Sequence, residues 1–123
     1  MARIALIDGD PELVALMQEF LKDAGHDVTA YVQPEDVVDQ LADNLPHLVI
    51  LDPWLKSPTD GWEILASLRL DRRTRKVPII VYSAAVDHLQ SKAGWLRESR
   101  IPSLRKPFEL RELEQLIDGA LTG

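Results

Sequence analysis

The chain has 123 residues, a formal net charge of -6, 46% hydrophobic and 28% charged side chains, and no cysteine. These proportions suit one globular domain with a buried core, and they exclude a disulfide framework, a thiol nucleophile and a thiolate metal site. The acidic balance is the wrong sign for gripping a nucleic-acid backbone, and no segment has the apolar length of a secretory signal or a membrane span, so a cytoplasmic protein is expected.

Ile4-Ala5-Leu6-Ile7 is a continuous apolar run ending at Asp8-Gly9-Asp10-Pro11, the pattern of a buried strand followed by a turn and a helix start. Leu13, Leu16, Met17, Phe20 and Leu21 recur at the spacing of one helical face, and Gly25 is a natural stop for that helix. His26 to Tyr31 alternates weakly, as a strand near a sheet edge does. Pro34 opens a second amphipathic segment carrying Val37, Val38, Leu41 and Leu45, closed by Asn44 and Pro46.

Leu48-Val49-Ile50-Leu51 then runs straight into Asp52 and Pro53, which predicts a strand buried on both faces that ends at the rim of a sheet. A turn-rich loop from Pro53 to Gly61 leads into a third helix with Trp62, Ile64, Leu65 and Leu68. The basic stretch Arg69, Arg72, Arg73, Arg75 and Lys76 falls in the next connection and is read as a solvated loop. Val77 to Ser83 is another buried run ending on a polar side chain. Val86 to Ser99 is a weaker helix, its propensity lowered by Gly94. Ile101 to Leu104 is a short fifth strand, and Lys106-Pro107-Phe108 leads into a last helix with Leu110, Leu113, Leu116, Ile117 and Leu121 inward. Five strand-like runs alternating with five helical ones predict an α/β fold, a parallel sheet covered by helices on both sides, in one domain over residues 1–123.

Parallel strands share one carboxyl edge, so Asp8, Asp52, Ser83 and Lys106 meet there from four distant places in sequence. Taken singly, an Asp or Ser after a strand is a helix cap or turn former. Taken together, they are a carboxylate, hydroxyl and ammonium set suited to a phosphoryl group. A carboxylate is ionised at neutral pH and can attack phosphorus, while an ammonium and a hydroxyl steady the phosphoryl oxygens.

With Ile7-Asp8, Leu51-Asp52, Asp60-Gly61, Val81-Tyr82-Ser83-Ala84-Ala85 and Lys106-Pro107-Phe108 in this order, the chain resembles the receiver domain of two-component response regulators over essentially its whole length. The resemblance implies a flavodoxin-like, doubly wound five-stranded sheet in the order 2-1-3-4-5 and a signalling module rather than an enzyme. It implies that Asp52 is the phosphoacceptor, Ser83 the switch hydroxyl and Lys106 the phosphate-contacting lysine. It also implies a Mg²⁺ site made by Asp8, Asp52 and the backbone carbonyl of Trp54. The implied partners are a sensor histidine kinase or phosphotransfer protein and a downstream protein or effector domain, with homodimerisation through Asp87 to Ala120 as a further expectation.

Three departures qualify that picture. The second residue of the family's acidic pair is Gly9, which has no side chain to ligate a metal, and Asp10 is the candidate to compensate. With Asp8, Asp52 and Lys106 as its charges, the site carries one net negative charge, so weak Mg²⁺ binding is expected. The interval from Asp52 to Asp60-Gly61 is one residue longer than the common family spacing, with Pro53 and Pro58 stiffening it, and Ser103 stands where many members carry an aromatic switch.

Trp62 and Trp95 are expected to pack, the latter equally as an interface anchor, and His26, His47 and His88 share no ligand spacing. A receiver that works as a phosphorylation-independent docking module is the alternative. A remoter one rests on Asp8-Gly9-Asp10, which also resembles the first motif of haloacid-dehalogenase-type phosphatases. That family needs an acidic pair after the lysine, whereas Glu109, Glu112, Glu114 and Asp118 lie along a helix here. No glycine-rich dinucleotide or nucleoside-triphosphate loop is present.

Overall fold

The computed structural model describes residues 2–31, 36–54 and 58–122, apart from the side chains of 58–60. In chain order the elements are β1 (Arg3–Ile7), α1 (Pro11–Asp23), β2 (Asp27–Tyr31), α2 (Val37–Asp43), β3 (Leu48–Leu51), α3 (Pro58–Leu70), β4 (Ile79–Ser83), α4 (Val86–Ser91), α5 (Ala93–Glu98), β5 (Ser103–Arg105) and α6 (Leu110–Thr122). All strand pairs are parallel, as the sequence pattern predicts, and the sheet order is β2-β1-β3-β4-β5, as the family resemblance implies.

Pleat alternation divides the apolar runs between two cores. Ile4, Leu6, Leu48, Ile50, Ile80 and Tyr82 pack with Val14, Met17, Leu113 and Ile117, on the face covered by α1 and α6. Ala5, Ile7, Val49, Leu51, Ile79 and Val81 pack with Leu41, Leu65, Leu68, Leu89 and Leu96 on the other face. Both faces of β3 are therefore buried, which is why its sequence is continuously apolar rather than alternating.

Helix α1 starts where Pro11 occupies its first turn and the Asp10 carboxylate accepts from the N–H groups of Glu12 and Leu13. It stops at Gly25, whose φ of +92° is easily adopted only without a Cβ. The proposed start of the second helix at Pro34 lies outside the described residues, and α2 is described from Val37.

Among the boundaries that differ from the sequence expectation, α3 already begins at Pro58, within the stretch expected as loop as far as Gly61. The single helix expected over Val86 to Ser99 is two short ones, α4 and α5, interrupted at Lys92. Just before the interruption the His88 carbonyl is shared between the Ser91 hydroxyl at 2.9 Å and Lys92 N–H at 3.1 Å, and Gly94 follows with low helical propensity. The last strand begins at Ser103 rather than Ile101, because Ile101 N–H donates back to the Leu96 carbonyl and closes α5 instead.

The basic stretch is partly structural. Arg69 Nη1 donates to the carbonyls of Val77 (2.8 Å) and Arg75 (3.3 Å) and its Nε to that of Ser99 (3.4 Å), tying α3 to both following connections. Arg73 pairs with Asp39 on α2 and with Asp71, the latter carboxyl held down at about 2 by its hydrogen bonds to Arg73. Trp62 and Trp95 are half-buried against the α2–α5 core.

A candidate phosphoryl-accepting site at the carboxyl edge of the sheet

The registers align Ile7 with Leu51, Leu51 with Val81, and Tyr82 with Leu104. One residue further on, Asp8 and Asp52 continue the even-numbered faces of β1 and β3, and Tyr82 lies in the same row on β4. Lys106, two residues past Leu104, shares its phase on β5. The pleat thus sends Asp8, Asp52, Tyr82 and Lys106 to one side of the sheet edge, at the top of the α1–α6 core.

Their side chains form one network. Lys106 Nζ donates to Asp52 Oδ2 at 2.7 Å and to Asp8 Oδ2 at 3.3 Å, so one ammonium bridges two carboxylates. Trp54 N–H donates to Asp52 Oδ1 at 2.8 Å and Asp10 N–H to Asp8 Oδ1 at 2.9 Å. The Tyr82 hydroxyl donates to Asp8 Oδ2 at 2.5 Å, and its ring centroid lies 4.3 Å from Lys106 Nζ. Asp8 is almost completely enclosed at 2% exposure, and Asp52 at 6% keeps slightly more contact with solvent.

Burial raises the Asp52 pKa above the ordinary aspartate value, and the Asp8 charge adds to the rise. The hydrogen bonds from Lys106 and Trp54 N–H oppose it. A carboxylate of raised basicity is a better nucleophile than an ordinary one, and the ammonium beside it keeps the ionised form accessible. Burial and the Asp8 charge both raise the Tyr82 pKa, so its hydroxyl stays protonated and remains a donor.

The side chains of the other sequence candidates fall outside this network, to which Asp10 and Trp54 contribute only backbone N–H groups. Asp10 is turned to the N-terminus of α1, where its Oδ1 caps the helix. Ser83 is buried at the end of β4, and its hydroxyl accepts from Ala85 N–H at 3.0 Å. Half-exposed Trp54 sets its ring edge-on to His88, centroids 5.3 Å apart, just outside Asp52. His26 and His47 accept from the N–H groups of Ala2 and Arg3, so the three histidines serve three separate places. The Asp60 side chain and residues 55–57 of the lengthened loop lie outside the described residues.

Gly61 explains how the loop is anchored. A Cβ built on it would meet Pro53 backbone atoms at 2.0 to 2.3 Å, so the start of α3 lies directly on the peptide that follows Asp52. Tyr82 is the participant that sequence reading missed. The sequence signal is a hydroxyl inside an otherwise aliphatic run; its phase with Asp8 and Asp52 comes from the strand register.

A directly chelated Mg²⁺ needs near-octahedral oxygens, usually carboxylates and water. Here Gly9 offers no side chain, Asp10 is engaged as a cap, and both Oδ2 atoms point at Lys106. Among the described residues no group of three or more metal-ligating side chains occurs. As arranged, the residues do not fit that ion.

Comparison with known proteins agrees with the geometry. The family model for the response regulator receiver domain matches residues 4–118. The chain is 31% identical over 113 residues to RpaA of Synechocystis, a DNA-binding dual master transcriptional regulator, covering 92% of this chain and 46% of that protein. It is 33% identical over 113 residues to the Escherichia coli transcriptional regulatory protein CpxR, again with 92% and 46% covered. It thus spans about half the length of these two relatives. A crystal structure from Chloroflexus aurantiacus, assigned as a response regulator, superposes with a TM-score of 0.85 at 27% identity, covering 99% of this chain and 98% of that one. A signal receiver domain from Clostridium thermocellum superposes with a TM-score of 0.83 at 19% identity over 99% and 98% of the two chains, a likeness of fold alone.

Proposed function

This chain belongs to the response regulator receiver family of two-component signalling, and on that premise we propose that Asp52 accepts a phosphoryl group from a phosphohistidine donor. The observation that supports this most is the placement of Asp52, at the carboxyl edge of the central strand with Lys106 Nζ 2.7 Å away. A carboxylate oxygen of Asp52 forms the new bond to phosphorus as the P–N bond of the donor breaks, and the imidazole leaves with the electron pair. Lys106 offsets charge on the phosphoryl oxygens, and Ser83 donates to one of them after turning from Ala85.

Receiver domains as a class bind Mg²⁺ at this acidic pocket. In this chain we assign the fixed positive charge to Lys106 and expect Mg²⁺ to bind weakly. The donor is a sensor histidine kinase or phosphotransfer protein, and output passes by protein contact, in the cytoplasm, from residues 1–123 acting as one receiver unit. The Asp87 to Ala120 face, carrying α4, α5, β5 and α6, is the proposed contact surface for a downstream protein or a second copy. The exposed start of β5 at Ser103 offers no aromatic relay to that face.

Incubation with a small phosphodonor, with and without Mg²⁺, is expected to add the mass of one phosphoryl group to the intact wild-type protein and none to Asp52→Asn. An unmodified wild type, beside a control receiver modified in the same tube, would leave the docking-module alternative in its place.

A further inference from the structure

The phosphoryl chemistry proposed above assigns nothing to Tyr82, although its hydroxyl makes the shortest polar contact within the network, 2.5 Å to Asp8 Oδ2. The side chain is completely buried, its ring edge-on to Phe108 at 5.9 Å between centroids and face-on to the Lys106 ammonium. A buried phenol needs an acceptor, and a buried carboxylate needs donors. Each supplies the other here. Asp8 Oδ2 consequently carries two donors, Tyr82 Oη and Lys106 Nζ, while Oδ1 holds Asp10 N–H.

A cation drawn to Asp8 would have to compete with these donors. Gly9 removes one carboxylate, and the Tyr82 hydroxyl supplies a neutral donor to the carboxylate that remains. A metal taking Asp8 Oδ2 competes with both donors, and displacing the shorter of the two leaves the phenol unpaired in a completely buried position. We propose that Tyr82 is a positioning residue that stands in for the cation at Asp8 and holds down the affinity of this site for divalent metal. This inference rests on the site assigned under the proposed function, although no phosphoryl transfer enters its test.

The experiment is a calorimetric titration of MgCl₂ into wild-type protein and Tyr82→Phe, with no phosphodonor present and with Asp52→Asn as the control for site-specific binding. Tyr82→Phe keeps the ring against Phe108 and Lys106 and removes only the donor. Its Mg²⁺ dissociation constant is expected to fall about tenfold below that of wild type, equivalent to about 1.4 kcal/mol. Mg²⁺ should also raise the melting temperature of the variant more than that of wild type. A merely structural tyrosine predicts the opposite direction, since loosening the site would weaken binding. Equal or weaker affinity in the variant would overturn the proposal. Tyr82→Met, which also lacks the hydroxyl, carries the same expectation should Tyr82→Phe fail to melt cooperatively. If Tyr82→Phe binds tighter while Asp52 is never phosphorylated, the phosphoacceptor reading fails and this one stands. Phosphorylation at Asp52 with unchanged Mg²⁺ affinity means the reverse.

Discussion

Gly61→Ala is expected to lower stability by about 3 kcal/mol, at the upper end of what overpacking costs, measured as a shift in urea midpoint at constant slope. Alanine is the better helix former, by about 1 kcal/mol in a helix interior, so propensity alone predicts a gain. Contact decides the sign: the new Cβ would lie 2.0 Å from the Pro53 carbonyl oxygen and 2.2 Å from its Cα, and backbone offers no flexible end to yield. Moving Pro53 also moves Trp54, whose N–H holds Asp52 Oδ1, so phosphorylation should slow in the same variant. Gly119→Ala is the matched control. It lies exposed in α6 with nothing within 4 Å of an added Cβ, and a gain of up to about 1 kcal/mol is expected there.

Lys106→Met should destabilise the protein by about 2 to 3 kcal/mol at neutral pH, because it keeps the stem and leaves two buried carboxylates without their counter-charge. The Lys106 side chain is 16% exposed, which places the loss below that of a fully enclosed pair. Like charges about 4 Å apart repel by up to about 4 kcal/mol at an effective dielectric of 20, which gives the size of the force the lysine opposes. The pH dependence has a definite sign. The folded-state pKa of Asp52 is already raised above 3.8, and losing Lys106 raises it further. Ionisation of Asp52 therefore costs stability as pH climbs above 3.8, and the deficit of the variant should shrink on acidification through the raised pKa. Adding Asp52→Asn to Lys106→Met should restore much of the loss at neutral pH. Chemical denaturation of the four proteins at two pH values measures all of this.

The sheet and three members of the site were legible in the sequence because burial wrote them there. Ile4–Ile7, Leu48–Leu51 and Ile79–Val81 are apolar on both faces, and Asp8 and Asp52 each stand at the first polar position after such a run. Lys106 followed from its place after the last short strand. Strand alternation would aim Asp10 the same way as Asp8, but with Pro11 in the first turn of α1 the chain has already left the strand, and capping claims the carboxylate. A tyrosine inside an aliphatic strand, such as Tyr82, counts as core by composition. Only its register with Asp8, which depends on the pairing of β1, β3 and β4, reveals where the hydroxyl ends. The interruption at Lys92 likewise accompanies a side-chain bond, Ser91 to His88, that periodicity does not encode.

The most direct test of the account is to trap the acyl phosphate where it forms. After exposure to a phosphodonor the protein is reduced with borohydride, which converts a phosphorylated aspartate to homoserine, and the residue is located by peptide mass mapping. Homoserine at position 52 and at no other carboxylate is the expected result. Homoserine at Asp8 or elsewhere, or none at all while a control receiver is trapped in parallel, would contradict the assignment of Asp52 as the acceptor.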